Sequence, residues 1–144
     1  MQTRRRRVFL IGCLILPLGL CLTCYGVNVL TFLFPYLEAS NRWEATQPQA
    51  YTASVEYGTL LGLDVTGEEV VRDGVLVSSS RAIYDDPAID RLFDQARACM
   101  LNPFQVGLLW CRVDYDPMYG YPRRVFIDDW DLGRITEIVE FRPE

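Results

Sequence analysis

The stretch Glu68-Glu69-Val70-Val71-Arg72-Asp73-Gly74-Val75-Leu76-Val77-Ser78-Ser79 decides the fold. Asp73-Gly74 readily takes the positive φ angles of a two-residue hairpin turn, and β-branched residues flank it on both sides. Glu68 to Arg72 and Val75 to Ser79 therefore read as strand, tight turn, strand. Upstream, Tyr51 to Tyr57 alternates, with Tyr51, Ala53, Val55 and Tyr57 on one face and Thr52, Ser54 and Glu56 on the other, which predicts a half-buried strand. Downstream, Asp86-Pro87 offers a capping side chain followed by a ring with preset φ. Behind it Ile89, Leu92, Phe93, Ala96, Cys99 and Met100 recur at helical spacing until Asn102-Pro103 stops the pattern. Leu108 to Tyr115, Arg123 to Asp128 and Ile135 to Phe141 are short, rich in β-branched or aromatic residues, and separated by turn-forming segments. Strands, one helix and more strands, without alternating βα units, predict the α+β class: a small antiparallel sheet packed on one amphipathic helix.

The N-terminal quarter is of another kind. VFLIGCLILPLGLCLTCYGVNVLTFLFPYL, Val8 to Leu37, holds no charged residue over 30 positions, and a helix needs roughly 20 to cross a bilayer core. This predicts a transmembrane helix over 8–37, preceded by a basic tail over 1–7. A tether over 38–49 and a domain over 50–144 follow. Cleavage after the small residues near Gly26 would leave a sticky apolar terminus, so the length favours a retained signal anchor. Leu10-Ile11-Gly12-Cys13 has the shape of a lipobox, but only five apolar residues separate Arg7 from Cys13, too short an apolar region for such a signal. The block Arg4 to Arg7 keeps its end in the cytoplasm. The expected placement is thus single-pass in the plasma membrane, with an extracytoplasmic domain and the membrane as one partner.

The chain has 14 arginines, no lysine, no histidine and 19 acids. Setting aside Arg4 to Arg7 and Glu38 leaves ten arginines and eighteen acids, a net charge of −8. Such a domain is repelled by nucleic acid, which drops out as a partner. Without histidine, Ser-His and Cys-His nucleophile pairs are impossible and zinc loses its commonest nitrogen ligand. Neither a dinucleotide fingerprint nor a P-loop is present, so no cofactor is expected. Of the five cysteines only Cys99 and Cys111 fall in the domain; in an oxidising compartment they pair, and otherwise they are buried thiols.

The loop Tyr115-Asp116-Pro117-Met118-Tyr119-Gly120-Tyr121-Pro122 is built for turning: proline fixes φ, Gly120 takes positive φ, and Pro122 forces Tyr121 extended. With Ile89-Asp90-Arg91-Leu92-Phe93 and Arg72-Asp73-Gly74-Val75, it resembles a family of small bacterial secreted or lipid-anchored domains carrying a Y-D-P-x-Y-G-Y-P signature. That family is a domain of unknown function, so the resemblance implies an exported α+β domain in the bacterial envelope and no activity. Beyond a purely structural turn, Tyr115, Asp116, Tyr119 and Tyr121 are the candidate residues of an aromatic binding edge for a protein or peptide.

Asp114, Asp116, Asp128, Asp129 and Asp131 form the other constellation. They could collect oxygens around calcium or serve as paired acids, yet they lack EF-hand spacing, and a domain this small leaves little room for a sugar cleft. A solvated acidic edge is the usual meaning of such a cluster. The leading expectation is a non-enzymatic envelope module that binds a protein or peptide through its sheet edge or aromatic loop. Its rivals are a structural subunit of a membrane complex and a carboxylate- or calcium-dependent enzyme.

Overall fold

The computed structural model describes residue 26 and residues 30–59, 62–80, 85–101, 111–128 and 133–144. Among them are helix α1 (residues 30–46), β1 (Ala50–Thr59), β2 (Gly62–Arg72), β3 (Val75–Ser79), α2 (Ala88–Leu101), β4 (Cys111–Tyr115), β5 (Pro122–Ile127) and β6 (Arg134–Pro143). The six strands make one antiparallel sheet in the order β3-β2-β1-β6-β5-β4. Two meanders, β1-β2-β3 and β4-β5-β6, meet where β1 runs against β6, from Tyr51 opposite Pro143 to Thr59 opposite Arg134. The turn between β2 and β3 has φ of 51° at Asp73 and 74° at Gly74, the left-handed pair that matches the twist of the strands.

The period-two alternation sorts the side chains. Tyr51, Ala53 and Val55 of β1, Val71 of β2, Val125 of β5 and Ile138 of β6 are buried on one face. The opposite face carries Glu56, Glu68, Arg124, Glu137 and Arg142, tied by ion pairs such as Arg124 to Glu137 at 3.5 Å and Arg142 to Glu68 at 3.7 Å. An antiparallel sheet with one solvated face has this composition. Helix α2 lies over β5 and β4, burying Ala88, Ile89, Leu92, Ala96, Cys99 and Met100. Each of the larger side chains stabilises the fold by about 1.5–3 kcal/mol when fully buried. A disulfide from Cys99 to Cys111 fastens α2 to β4, with 6.0 Å between the Cα atoms.

Helix α1 corrects the expected architecture and localisation. Among the described residues no helix is long and apolar enough to cross a membrane, which overturns the N-terminal transmembrane helix, the signal anchor and the single-pass plasma-membrane placement. Among the described residues the fold is a six-stranded antiparallel sheet with two helices, mostly sheet, in place of a spanning helix followed by a sheet on one helix. The described end of the apolar run continues through Glu38, Arg42 and Glu44 into α1, which occupies residues 38–46 of the stretch read as a tether. Its Tyr36, Ala39 and Trp43, three and four positions apart, are buried against the rest of the domain. Hydropathy alone does not separate a spanning helix from one that spends its apolar face on a sheet. Residues 8–25 and 27–29 of the expected anchor lie outside the described residues, as does the basic tail.

The start of α2 also differs from expectation. The first helical bond runs from Arg91 N–H to the Pro87 carbonyl at 3.1 Å, so Pro87 stands at the cap and Ala88 opens the helix. The Ala88 N–H is satisfied by Glu69 Oε2 of β2 at 2.7 Å, and not by the local Asp86 side chain. An acid from the sheet does what an N-cap residue does, and its charge meets the positive end of the helix.

Candidate functional site

The four residues expected at an aromatic edge lie in or beside the turn between β4 and β5. Asp116 Oδ1 accepts the N–H groups of Met118 at 2.9 Å and Tyr119 at 2.8 Å. Its own N–H donates to the Tyr121 carbonyl at 2.8 Å, and Gly120 N–H donates to the Asp116 carbonyl at 2.9 Å. One carboxylate oxygen thus holds the turn, as an Asx motif does. Helix α1 locks against it: Arg42 Nη1 donates to the Pro117 carbonyl at 2.6 Å and Thr46 to the Tyr119 carbonyl at 3.2 Å.

The rings turn inward. Tyr121 is 4 % exposed, its centroid 5.8 Å from Trp43 and 4.9 Å from Phe141. Tyr119 lies 5.1 Å from Phe141. Burial pushes the hydroxyls of Tyr115 and Tyr121 up to about 12, with the charge of Asp116 adding to the effect at Tyr121. The structure therefore brings Tyr115, Asp116, Tyr119 and Tyr121 together as a packed corner, leaving Met118 at its tip 69 % exposed.

Among the described residues no group of three or more acids or cysteines is placed to hold a metal ion. Asp114 Oδ1 takes the Arg112 Nε–H at 3.1 Å, and Asp116 is engaged in its own turn. Asp128 follows β5 and is half-buried, while Asp129 and Asp131 lie outside the described residues.

Two other features are open to partners. The first is the edge strand β3, whose Val75 and Val77 are 64 % and 58 % exposed. Val77 is the bulged residue, since Val70 pairs with Ser78 and Val71 with Leu76.

The second is a cleft of ≈ 470 Å³ between α2 and the ends of β1, β5 and β6. Arg91, Gln95 and Ala98 reach it from one stripe of α2, as their spacing of four and three dictates. Arg91 Nη2 donates to Glu69 Oε1 at 2.7 Å and to the Tyr57 hydroxyl at 2.6 Å, and Nη1 donates to the Asp86 carbonyl. Burial alone would lower the Arg91 pKa, but the hydrogen bond and charge of Glu69 outweigh it and raise it.

Sequence reasoning missed this cleft and its ion pair. One signal was present. Within the strand Glu68 to Arg72, alternation sets Glu69 on the same face as Val71, and an acid on an inward face must find a cation. Comparison with protein-family models, with curated proteins and with solved structures finds no match to this chain.

Proposed function

We propose that the chain is a non-enzymatic binding module that takes an extended peptide along the open edge of β3. The observation that carries this is the edge itself. Val75-Leu76-Val77-Ser78-Ser79 holds no charge and no proline, while Val75 and Val77 are the most exposed aliphatic residues of the described sheet. Soluble proteins normally blunt such edges with lysine, proline or a covering element, because unpaired N–H and C=O groups recruit another strand. Here a bulge is the only such device on β3 among the described residues. Backbone pairing supplies affinity in this mode and alternate side chains supply choice. With a net charge of −8 over the domain, the favoured peptide alternates apolar residues with arginine or lysine.

Panning a displayed library of linear peptides against the full chain tests this. Recovered peptides should show that alternation, and Val75→Lys with Val77→Lys should weaken them by at least about tenfold while the thermal midpoint holds. Unchanged affinity in the doubly substituted protein would refute the reading.

A structural subunit is the second reading. Leu30, Phe34 and Leu37, at helical spacing on α1, are 51 %, 66 % and 45 % exposed, a stripe suited to a partner helix. In that case Phe34→Ser, and not the β3 changes, would alter the sedimentation behaviour of the full chain.

A further inference from the structure

The charged groups of the cleft beside α2 are already engaged by the protein. Arg91 Nη2 holds Glu69 at 2.7 Å and the Tyr57 oxygen at 2.6 Å, and Nη1 holds the Asp86 carbonyl. Arg134 has contacts of its own within the chain, as does Tyr57 beyond its bond to Arg91. Among the described residues no carboxylate lines the cleft. A charged ligand would therefore leave water without meeting an unengaged counter-charge, which is costly. The volume of ≈ 470 Å³ falls within the roughly 300–1,000 Å³ of small-molecule sites, which are typically apolar with a few polar groups that fix orientation.

Two neutral polar groups remain on its walls, Gln95 from α2 and Thr136 from β6. Among the described residues neither side chain takes part in a hydrogen bond or ion pair. Thr136 is 9 % exposed, and among the described residues no sealed side-chain oxygen or nitrogen lacks a partner, so its hydroxyl opens onto the cleft. The register explains this placement. Val55 faces Ile138 and Tyr57 faces Thr136, and alternation puts both pairs on the inward face of the sheet. Gln95 reaches the same space from the helix stripe it shares with Arg91 and Ala98. The rest of the wall is apolar, from Ala98, Ile127 and Ile135.

We infer that this cleft binds a small uncharged amide, its head on the Gln95 side chain and its apolar body against Ala98, Ile127 and Ile135. The Gln95 amide carries both an acceptor oxygen and N–H donors, which match the N–H and oxygen of a ligand amide in a reciprocal pair. The Thr136 hydroxyl adds a donor or acceptor from the sheet side. A carboxylate offers acceptors alone and an ammonium donors alone, so each leaves half of the Gln95 amide unmatched as well as stranding its own charge. The apolar wall distinguishes a chain-bearing amide from acetamide. Arg91, held at Glu69, Tyr57 and the Asp86 carbonyl, keeps the helix side of the cleft in one shape, so little ordering cost falls on binding. The site is separate from the β3 edge, and neither proposal depends on the other.

Titration calorimetry of the full chain with hexanamide, hexanoate, hexylammonium and acetamide tests the inference. Saturable one-site binding of hexanamide is expected, with each of the other three at least about tenfold weaker. Gln95→Leu, which keeps the bulk and removes the amide, should lower hexanamide affinity by about tenfold while the unliganded protein keeps its thermal midpoint. Ala98→Trp provides a second readout, since Ala98 is an exposed helical position at which a large ring would fill the cleft without entering the core, and it should abolish binding. Hexanoate or hexylammonium binding as tightly as hexanamide would overturn the assignment to an uncharged amide, and acetamide doing so would overturn the role of the apolar wall. Full hexanamide affinity in either variant, or no saturable binding of hexanamide, would overturn the site itself.

Discussion

Glu69 of β2 grips Arg91 of α2 at 2.7 Å with one carboxylate oxygen and the Ala88 N–H at 2.7 Å with the other. A single side chain thus fixes both the start of the helix and the floor of the cleft. Removing one member of a buried pair leaves an uncompensated charge, which costs about 3–5 kcal/mol. Glu69→Ala is therefore expected to lower the unfolding free energy measured in urea by that order and to fray the first turn of α2. Glu69→Gln, which keeps an acceptor for Ala88, should lose less. Replacing both members, as Glu69→Leu with Arg91→Met, should recover much of the loss, because no charge is then stranded. A double change as damaging as the sum of the singles would show that the pair carries no coupling.

The disulfide makes a separate prediction. Cys99 and Cys111 are 12 positions apart, and closing a loop of that size removes roughly 2–3 kcal/mol of chain entropy from the unfolded state. Reduction, or Cys99→Ser with Cys111→Ser, should lower the thermal midpoint accordingly. The effect belongs to the contact between α2 and β4, so protection of β4 amides against hydrogen exchange should fall more than that of β2. Equal loss across the sheet would contradict this.

Parts of this molecule were readable from local chemistry. The β2–β3 hairpin was legible because Asp73-Gly74 states its turn in two residues, and α2 because Ile89, Leu92, Ala96 and Cys99 keep a helical period without help from elsewhere. Helix α1 was not. Its apolar residues merge with the run before Leu30, and nothing in Asn41 to Gln49 announces that Trp43 meets Tyr51, Tyr121 and Phe141. Those rings come from three separate parts of the chain. The cleft was out of reach for the same reason, since its walls come from the ends of three strands and one helix whose sequence separations no periodicity records. The composition of the Tyr115 to Pro122 turn was legible, but the direction of its rings depended on α1.

The inward tyrosines predict a late alkaline titration. Burial pushes Tyr115 and Tyr121 up to about 12, and it raises Tyr51 as well, with Asp90 and Glu69 adding to the effect there. An unfolded tyrosine titrates near 10, so between about 10 and 12 the folded chain holds more protons than the unfolded one. Stability is then complete below pH of about 10 and is lost as pH rises toward about 12. Tyr121→Phe should remove one late group from the ultraviolet tyrosinate titration and flatten the fall in stability over that interval. A Tyr121 that ionises near 10 would place its ring in water.

Gly120 tests whether α1 depends on the turn beneath it. Its φ is +85°, and a Cβ added there would meet the Ala39 carbonyl oxygen, Arg42 Cβ at 2.8 Å and Trp43 N at 3.1 Å. Gly74 has a similar φ of +74° with nothing within 4 Å. Alanine at either position incurs about 1–2 kcal/mol for the left-handed backbone. Only at Gly120 does it also displace helix backbone, for about 1–3 kcal/mol more. Gly74→Ala should therefore lower the urea midpoint modestly and leave α1 in place. Gly120→Ala should lower it further and expose the chain at Arg42, where trypsin would cut the native protein faster. Equal losses in the two variants, with cleavage at Arg42 unchanged, would mean that α1 does not rest on Gly120 in solution.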